Sequence, residues 1–436
     1  MTTTEDSPPR SFDPADLSSL AFWSGTAADR ERTFAELRRE RPVSWHPPVE
    51  RPMFEDPDDR GFWAVVRHAD LVEVTKRHED FRSGEGIVFD SMPQELLDAG
   101  QGFIAMDPPR HTRIRRLLAS AFTPRQMRRI GAQIDANARL VVDAVAGRGE
   151  AEFVSEVAAL VPLHNICDMV GVPAEHRLTI LHEAELVGGW RDSDVMAGQD
   201  PAARLFEATM TMFGIVDELM QARREDPRDD LLTALLEAEV DGERLDEYDI
   251  ASFFNLLMIA GTDTTRQSIS HGLKALTDFP DQREWLLADL PGRMPGAVEE
   301  IVRWATPIMT FRRTAARDCA LAGQQIRAGE KVILFYASAN WDTEVFDHPE
   351  RLDLSRVPNR HVSFGGGGIH HCLGNQLARM QIAATFTELL TRLPDIQVVG
   401  EPHYSSSTFF HGVNSMTVGF TPEVGAAVRS TAEARP

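Results

Sequence analysis

Apolar residues recur at spacings of three and four over much of this chain, which is the pattern of amphipathic helices. Clear examples lie at residues 34–37, 117–122 and 231–236. Strand-like runs are few and short, namely FWAVVR at 62–67, the segment 321–326 with Gly323 as its turn, and KVILFY at 331–336. The pattern predicts a mainly α protein with small β-sheets beside a helical body.

One predicted helix is long enough to cross the whole molecule. It begins near LDEYD, whose acidic residues suit the dipole of a first turn, and it ends before Pro280. Its middle reads AGTDTT, residues 260–265, so mediocre helix formers stand together where burial should be deepest. Such a local conflict inside a buried helix indicates a functional site.

Length and charge limit the classes of protein that fit. The 436 residues carry a net charge of −22, and no linker divides them. We expect one large domain at 16–424, with polar segments at 1–15 and 425–436 that do not fold. The negative charge argues against a nucleic-acid partner, which would need a basic face.

Cysteine usage and the N-terminus indicate the compartment. The three cysteines, Cys167, Cys319 and Cys372, support neither a disulfide framework nor a zinc site. The first residues lack the basic start and apolar run of a secretory signal or membrane anchor. The longest apolar stretch, 253–260, is too short to cross a bilayer. We therefore expect a soluble protein of the reducing cytoplasm.

The candidate metal ligand stands in HVSFGGGGIHHCLGNQLARM, residues 361–380. Four glycines precede Cys372, and a helix is expected from about Leu373. The N-terminus of that helix would stabilise a thiolate, and glycines allow close approach to a flat macrocycle. A phosphate-binding loop does not fit, because the GK[ST] ending is missing. On this loop alone, a buried and inert cysteine is an equally good interpretation.

Two further motifs add charged residues. In EIVR, Glu300 and Arg303 are three residues apart and share one helix face. Alone such a pair is usually a solvated surface salt bridge. In HPERLDLSR, Arg351 could complete a buried network with that pair and fix the irregular segment before Cys372.

The order of these motifs resembles the cytochrome P-450 superfamily. AGTDTT, EIVR, PERL and the glycine-rich loop with its cysteine follow one another at family-like spacing. FWAVVRHAD and DPPRHTRIRRLLASAFTPR also look like bacterial members, so the resemblance covers nearly the whole chain. It implies a long central helix over haem b and a monooxygenase activity.

The resemblance assigns roles to individual residues. Cys372 would be the axial thiolate, and Glu300, Arg303 and Arg351 would be a structural triad. The family's contacts with the haem and its propionates would fall on His111, Arg115, Ala260, Gly261, Arg313, Phe364, Gly365, His370 and Gly374. For the charged residues of this set the alternative is a surface charge.

Catalysis would need proton delivery, for which the candidates are Asp263 and Thr264. In the alternative reading, Thr264 bonds back to a carbonyl one turn earlier and Asp263 pairs with a neighbouring Arg or Lys. The two readings need not exclude each other. The cavity wall is expected from Phe103, Ile308, Met309, Phe311, Phe409 and Phe410, although core packing explains such residues equally well.

Two departures from the commonest bacterial pattern point to a subgroup. The loop carries one more glycine than usual before Cys372, and Trp341 stands where many relatives have arginine. Both features look like actinobacterial enzymes that hydroxylate sterol side chains or the ends of methyl-branched lipids. A tailoring hydroxylase or epoxidase of a polyketide or terpenoid would use the same site. A haem-binding sensor or carrier, and a peroxide-using enzyme, are further alternatives.

Electrons would have to come from outside the chain, because it contains no flavin, nicotinamide or iron–sulfur motif. We expect a ferredoxin with an NAD(P)H-dependent reductase, together with O₂. A basic run could dock an acidic ferredoxin, although a solvated helix face explains it equally well. The run comprises Arg110, Arg113, Arg115, Arg116, Arg125, Arg128 and Arg129.

Overall fold

The computed structural model describes residues 10–92, 97, 102–122, 124–190, 196 and 198–423. It is mainly helical with small sheets, which confirms the predicted fold class. The helices are α1 Leu20–Ser24, α2 Ala27–Glu40, α3 His68–Lys76, α4 Arg110–Ser120, α5 Pro124–Val145, α6 Leu160–Val170, α7 Ala174–Gly188, α8 Pro201–Glu225, α9 Leu231–Glu237, α10 Glu247–Asp278, α11 Pro280–Leu287, α12 Leu290–Ala305, α13 Tyr336–Ala339 and α14 Asn375–Arg392.

The strands are short. They are β1 Val43–His46, β2 Phe62–Val65, β3 Phe81–Arg82, β4 Glu150–Glu152, β5 Glu239–Val240, β6 Glu243–Arg244, β7 Thr310–Ala315, β8 Cys319–Leu321, β9 Gln324–Ile326, β10 Lys331–Phe335, β11 Gln397–Val398, β12 His403–Tyr404, β13 Val413–Ser415 and β14 Thr417–Gly419. The three predicted strand regions correspond to β2, the β8–β9 hairpin and β10. In the hairpin, Ala322 and Gly323 turn the chain with φ of 46° and 80°.

The largest sheet has the order β1-β2-β10-β7-β3. Strand β10 runs parallel to β2, with Lys331 opposite Phe62, and antiparallel to β7. Both faces of the sheet are buried. Along β2, Trp63 and Val65 pack into one apolar cluster while Phe62 and Ala64 pack into another. This two-residue alternation fixes the register, because a slip by one residue would exchange the two faces.

Helix α10 forms the centre of the molecule. It has 32 residues, roughly 48 Å at 1.5 Å per residue. The side chain of Asp246 caps it by accepting from the backbone N–H of Asp249 at 2.7 Å. The helix ends at Asp278, with Phe279 as its C-cap, before Pro280 as predicted. It packs against α6, α7, α8, α12 and α14. Its middle therefore lies inside the largest apolar cluster.

Within the described ranges, no helix is both long and apolar enough to span a bilayer. The predicted boundaries at 16 and 424 remain a prediction, since both terminal segments lie partly or wholly outside the described residues.

Candidate active site

A cavity lies between the middle of α10 and the glycine-rich loop before α14. Its walls include Ala260, Gly261 and Thr264 of α10 on one side and Cys372 on the other. The empty volume is about 1430 Å³, open mouth included.

The four glycines have two separate functions in the loop. Gly365, Gly366 and Gly367 have φ of 103°, 64° and 87°, which residues with a side chain rarely adopt. Gly368 instead lies against α3, where a Cβ would stand 1.9 Å from the carbonyl oxygen of Thr75. Three glycines thus turn the chain, and the fourth permits close contact with α3.

Cys372 is held by its backbone. Its N–H donates to the carbonyl of Phe364 at 2.9 Å, and its own carbonyl accepts from Asn375 Nδ2 at 2.7 Å. Helix α14 begins at Asn375, two residues later than expected. Burial raises the pKa of the thiol, against the N–H of Gly374 and the charges of Arg115 and Arg379, which lower it. The helix N-terminus therefore does not offset the burial of the thiol, and a metal ion bound in place of the proton would favour the thiolate.

Two histidines in the cavity wall region lack partners that their burial requires. Both ring nitrogens of His111 and Nδ1 of His370 are buried without a hydrogen-bond partner. The rings lie 4.2 Å apart, and His370 Nε2 is 3.1 Å from Ser83 Oγ. Burial, helped by the charge of Arg115, lowers the pKa of His111 to about 4. Burial and Arg313 lower the pKa of His370 as well. Both rings are therefore neutral and can each donate one hydrogen bond to an anion.

Two arginines stand beside them. Arg115 Nη2 donates to the carbonyl of His371 at 2.6 Å, and Arg313 Nη1 donates to the carbonyl of Arg312 at 2.8 Å. Both line the cavity, and neither has an ion pair among the residues that the structure describes. The guanidinium of Arg313 is buried and that of Arg115 is half-buried. Without a counter-charge and beside unpartnered imidazoles, both call for carboxylates. The residues present thus fit a haem whose two propionates lie here and whose iron faces Cys372.

The other predicted haem contacts lie in the cavity wall: Ala260, Gly261, Phe364, Gly365 and Gly374. Gly261 also lets α10 approach α6, because a Cβ there would stand 2.8 Å from Ile166 Cδ1.

The predicted proton relay is divided between two faces of α10. Thr264 lines the cavity, and its hydroxyl donates to the carbonyl of Ala260 at 2.7 Å. Asp263 is 2 % exposed, does not line the cavity, and its Oδ1 is 2.9 Å from Arg266 Nη2. The angle is not that of a hydrogen bond, so Oδ1 has no donor. Both contacts of the structural alternative are therefore present, namely Thr264 with a carbonyl one turn earlier and Asp263 beside a neighbouring arginine. The proton relay stays a prediction.

The buried charge network is centred on Glu300. Arg303 donates to it from Nε at 2.8 Å and from Nη2 at 2.7 Å, and both side chains are fully buried. The third member is Arg356, whose Nε donates to Glu300 Oε2 at 3.1 Å, together with Asn359 Nδ2 at 2.9 Å. The prediction of Arg351 was wrong. That side chain is exposed and only its carbonyl contacts the network. Arg351 and Arg356 lie in one irregular segment, and their positions in the sequence do not show which side chain points into the protein.

Half of the predicted substrate wall lines the cavity. Phe103, Ile308 and Phe311 do, whereas Met309, Phe409 and Phe410 are absent from its wall. Met309 instead packs with the N-terminal cluster that contains Phe335. Phe409 packs edge-on against Phe311 and Phe410. These three side chains therefore lie behind the wall in this structure, and their contact with a substrate stays a prediction.

The wall residues that the prediction missed include Ile166 of α6 and Phe253, Leu256 and Leu257 of α10. The α10 residues precede Ala260 at helical spacing and continue its face. Extending that stripe toward the N-terminus of α10 would have found them.

The basic run on α4 and α5 is largely paired within the protein. Arg110 and Arg113 lie 3.7 and 3.8 Å from the carboxylate of Asp249. Arg116 pairs with Asp241 at 2.8 Å, and Arg129 with Asp229 at 3.2 Å. The side chains of Arg125 and Arg128 lie outside the described residues.

Comparison with known proteins gives consistent results. The model of the cytochrome P450 family matches residues 294–394, the part that contains the Glu300 network and Cys372. A methyl-branched lipid omega-hydroxylase of Mycobacterium tuberculosis is 40% identical over 422 residues, which cover 96% of this chain and 97% of that protein. A steroid C26-monooxygenase of Rhodococcus jostii is 36% identical over 403 residues, covering 91% and 83%. A solved cytochrome P450 of Mycobacterium marinum in complex with pseudoionone has a TM-score of 0.90 and 56% identity, covering 94% of this chain and 99% of that one.

Proposed function

This chain belongs to the cytochrome P450 family and is a cytochrome P450 monooxygenase, and from this premise we propose that it hydroxylates a methyl-branched lipid or a steroid side chain. The observation that carries the proposal is the apolar wall opposite Cys372. Aromatic and aliphatic side chains from three parts of the fold form it, chiefly Phe103, Phe253, Leu256, Ile308 and Phe311. Such a wall holds a hydrocarbon chain by burial and offers few groups that would orient a polar substrate. The names of the relatives support the same class of substrate.

We assign the haem, as haem b, to Cys372 on one face and to the His111, Arg115, Arg313 and His370 group at its propionates. When bound, haem with a thiolate ligand supplies the activation of O₂ for insertion of one oxygen atom into a C–H bond. The protein's contribution is to bind the substrate, exclude water and deliver protons. The apolar wall binds the substrate and excludes water, because it surrounds the reacting end of the substrate.

In this proposal Thr264 and Asp263 handle the protons. Thr264 lines the cavity, and its hydroxyl could pass on a proton once it leaves the carbonyl of Ala260. Asp263, the next residue toward the N-terminus, is the buried acid that would resupply it. The sensor or carrier alternative would need neither group.

Electrons come from a separate redox partner, which we propose is a ferredoxin with its NAD(P)H-dependent reductase. Arg115 links α4 to the loop of Cys372, so α4 lies beside the thiolate face. Arg110, Arg113 and Arg116 of that helix keep 41–49 % of their side-chain surface exposed. Their pairing with Asp249 and Asp241 leaves this surface less basic than the sequence suggests, so docking would be weak and salt-sensitive.

Binding and turnover test the proposal. The haem-loaded enzyme is titrated with a methyl-branched fatty acid, its unbranched isomer, cholestenone, pseudoionone and a macrolide, and the Soret band is followed. We expect the branched acid or cholestenone to shift the band at lower concentration than the unbranched isomer and the macrolide. Turnover with NADPH, ferredoxin and reductase should then give a product one oxygen atom heavier. A shift with the macrolide alone would assign the enzyme to natural-product tailoring, and turnover with peroxide alone would overturn the electron scheme.

A further inference from the structure

The cavity face of α10 steps back on the side across from Cys372. Leu256 and Leu257, which come earlier in this wall, have large side chains. Ala260 has only a methyl group and Gly261 has no side chain, although both line the cavity. We call the space beside these two small residues the notch.

Ile166 of α6 closes the notch from behind. It is fully buried, and it is the one residue of α6, a helix described throughout, that lines the cavity. A Cβ on Gly261 would stand 2.8 Å from Ile166 Cδ1 and 3.1 Å from Ile166 Cγ1. Non-bonded carbon atoms pack at about 3.5–4.0 Å. The Ile166 side chain therefore occupies the space that a side chain on Gly261 would need, and it forms the floor of the notch.

Buried polar contacts beside Ile166 hold this floor in place. Asn137 of α5 donates from Nδ2 to Asn165 Oδ1 and to Asp168 Oδ2, both at 2.9 Å. Arg177 of α7 donates to Asp168 Oδ1 at 2.6 Å. These bonds tie α6 to both neighbouring helices, and buried hydrogen-bonded networks of this kind make a structure rigid. A ligand that presses on Ile166 therefore meets a fixed surface.

We propose that Ile166 is a specificity-determining residue, which stops the end of the substrate chain in the notch and so selects the carbon that is hydroxylated. The proposal rests on the monooxygenase function above. A chain that enters end first advances until its terminal methyl group meets Ile166. A methyl C–H bond is stronger than the C–H bonds of the next carbon, so the terminal carbon reacts only where further advance is blocked and that carbon is held at the reacting point. The oxygen insertion is the same at either carbon, and only the position of the new hydroxyl group changes.

The test changes the depth of the notch by one methyl group. The probes are a fatty acid with an isopropyl end and cholestenone, whose side chain has the same end. Ile166→Val removes Cδ1, so the chain advances further and the branch carbon reaches the reacting point. The ratio of primary to tertiary alcohol, measured by gas chromatography with mass spectrometry, should fall about tenfold, which is the lower end of what one methylene decides in an apolar pocket.

A compensating variant tests the shared space directly. Gly261→Ala in the Ile166→Val background places a new methyl group where Ile166 Cδ1 was, because the two atoms would lie only 2.8 Å apart in the wild type. The product ratio should return toward the wild-type value. If the ratio stays as in Ile166→Val alone, the side chain does not act by filling the notch.

A second readout needs no turnover. Phenylimidazole binds haem iron and shifts the Soret band, and its phenyl ring needs more room than imidazole itself. Relative to imidazole, its dissociation constant should fall several-fold in Ile166→Val and rise again in the double variant. Equal constants in all three forms would contradict the proposed floor.

Ile269→Val is the matched control. Ile269 belongs to α10 and is fully buried, but it does not line the cavity, so the variant makes the same core truncation away from the notch. Its product ratio and its phenylimidazole binding should equal those of the wild type. An unchanged product ratio in Ile166→Val would show that the end stop is wrong. If phenylimidazole binding changes as expected but no form hydroxylates either probe, the proposed function fails, whereas the floor formed by Ile166 is supported.

Discussion

Removal of Glu300 should destabilise the protein more than any other single change in the charge network. The carboxylate accepts five hydrogen bonds, from Arg303 Nε and Nη2, Arg356 Nε, Asn359 Nδ2 and the backbone N–H of Asp353, at 2.7–3.1 Å. Glu300→Ala leaves the fully buried Arg303 without a counter-charge. Removing one partner of a buried ion pair costs about 3–5 kcal/mol. A folded protein has about 5–15 kcal/mol in total, so the variant should lose at least about a fifth of its stability and, at the lower end of that range, nearly all of it.

Two arginine variants make the prediction sharper. Arg356→Ala removes a charge-assisted hydrogen bond while Arg303 still neutralises Glu300, so we expect a loss of about 1.5–3 kcal/mol. Arg351→Ala changes an exposed side chain and should stay within about 0.5 kcal/mol of the wild type.

The assay is urea unfolding of the haem-loaded protein, followed by Soret absorbance and by far-UV circular dichroism. A protein of this size with a cofactor does not unfold in two states, so midpoints are compared rather than extrapolated free energies. The urea midpoint should be lowest for Glu300→Ala, higher for Arg356→Ala, and for Arg351→Ala the same as for the wild type. Glu300→Gln replaces the first variant if it does not accumulate. A midpoint for Arg351→Ala as low as that for Arg356→Ala would refute the assignment of the network.

Three further predictions follow from the cavity. Thr264→Ala should keep haem and the ligand-induced Soret shift but divert reducing equivalents to peroxide; unchanged product per NADPH would exclude the relay. Gly368→Ala must displace a carbonyl 1.9 Å from the new Cβ and should cost about 3 kcal/mol in thermal or urea unfolding. Gly367→Ala, with open space around it, should cost only about 1 kcal/mol for its positive φ. Arg313→Gln should speed the transfer of haem to apomyoglobin, because the Arg313 guanidinium pairs with no described carboxylate of the protein and is available to a haem propionate. An unchanged transfer rate would contradict that role of Arg313.

Local patterns predicted most of the architecture. The long helix was bounded correctly because its N-cap acid and the proline after it are local signals. The strands at 62, 321 and 331 were found because their apolar runs and turn residues are short-range features too. Arg351 was chosen wrongly over Arg356 because the segment is irregular, and no periodicity relates sequence position to direction there. Met309, Phe409 and Phe410 were placed in the wall because apolar character predicts burial but not which layer is buried.

The order and spacing of AGTDTT, EIVR and the glycine–cysteine loop identify the family without coordinates, and they are the basis for proposing Cys372 as the thiolate ligand. The sequence also shows the extra glycine, but the function of each glycine in the loop is visible only in the structure, because the φ angles and the approach of Thr75 to Gly368 depend on α3. Only the tertiary structure placed Asp263 behind the cavity wall. Glu185, which binds the same Arg266 that lies beside Asp263, is 78 residues away from Asp263 along the chain, and its position is fixed by how α7 packs on α10, which no local pattern encodes.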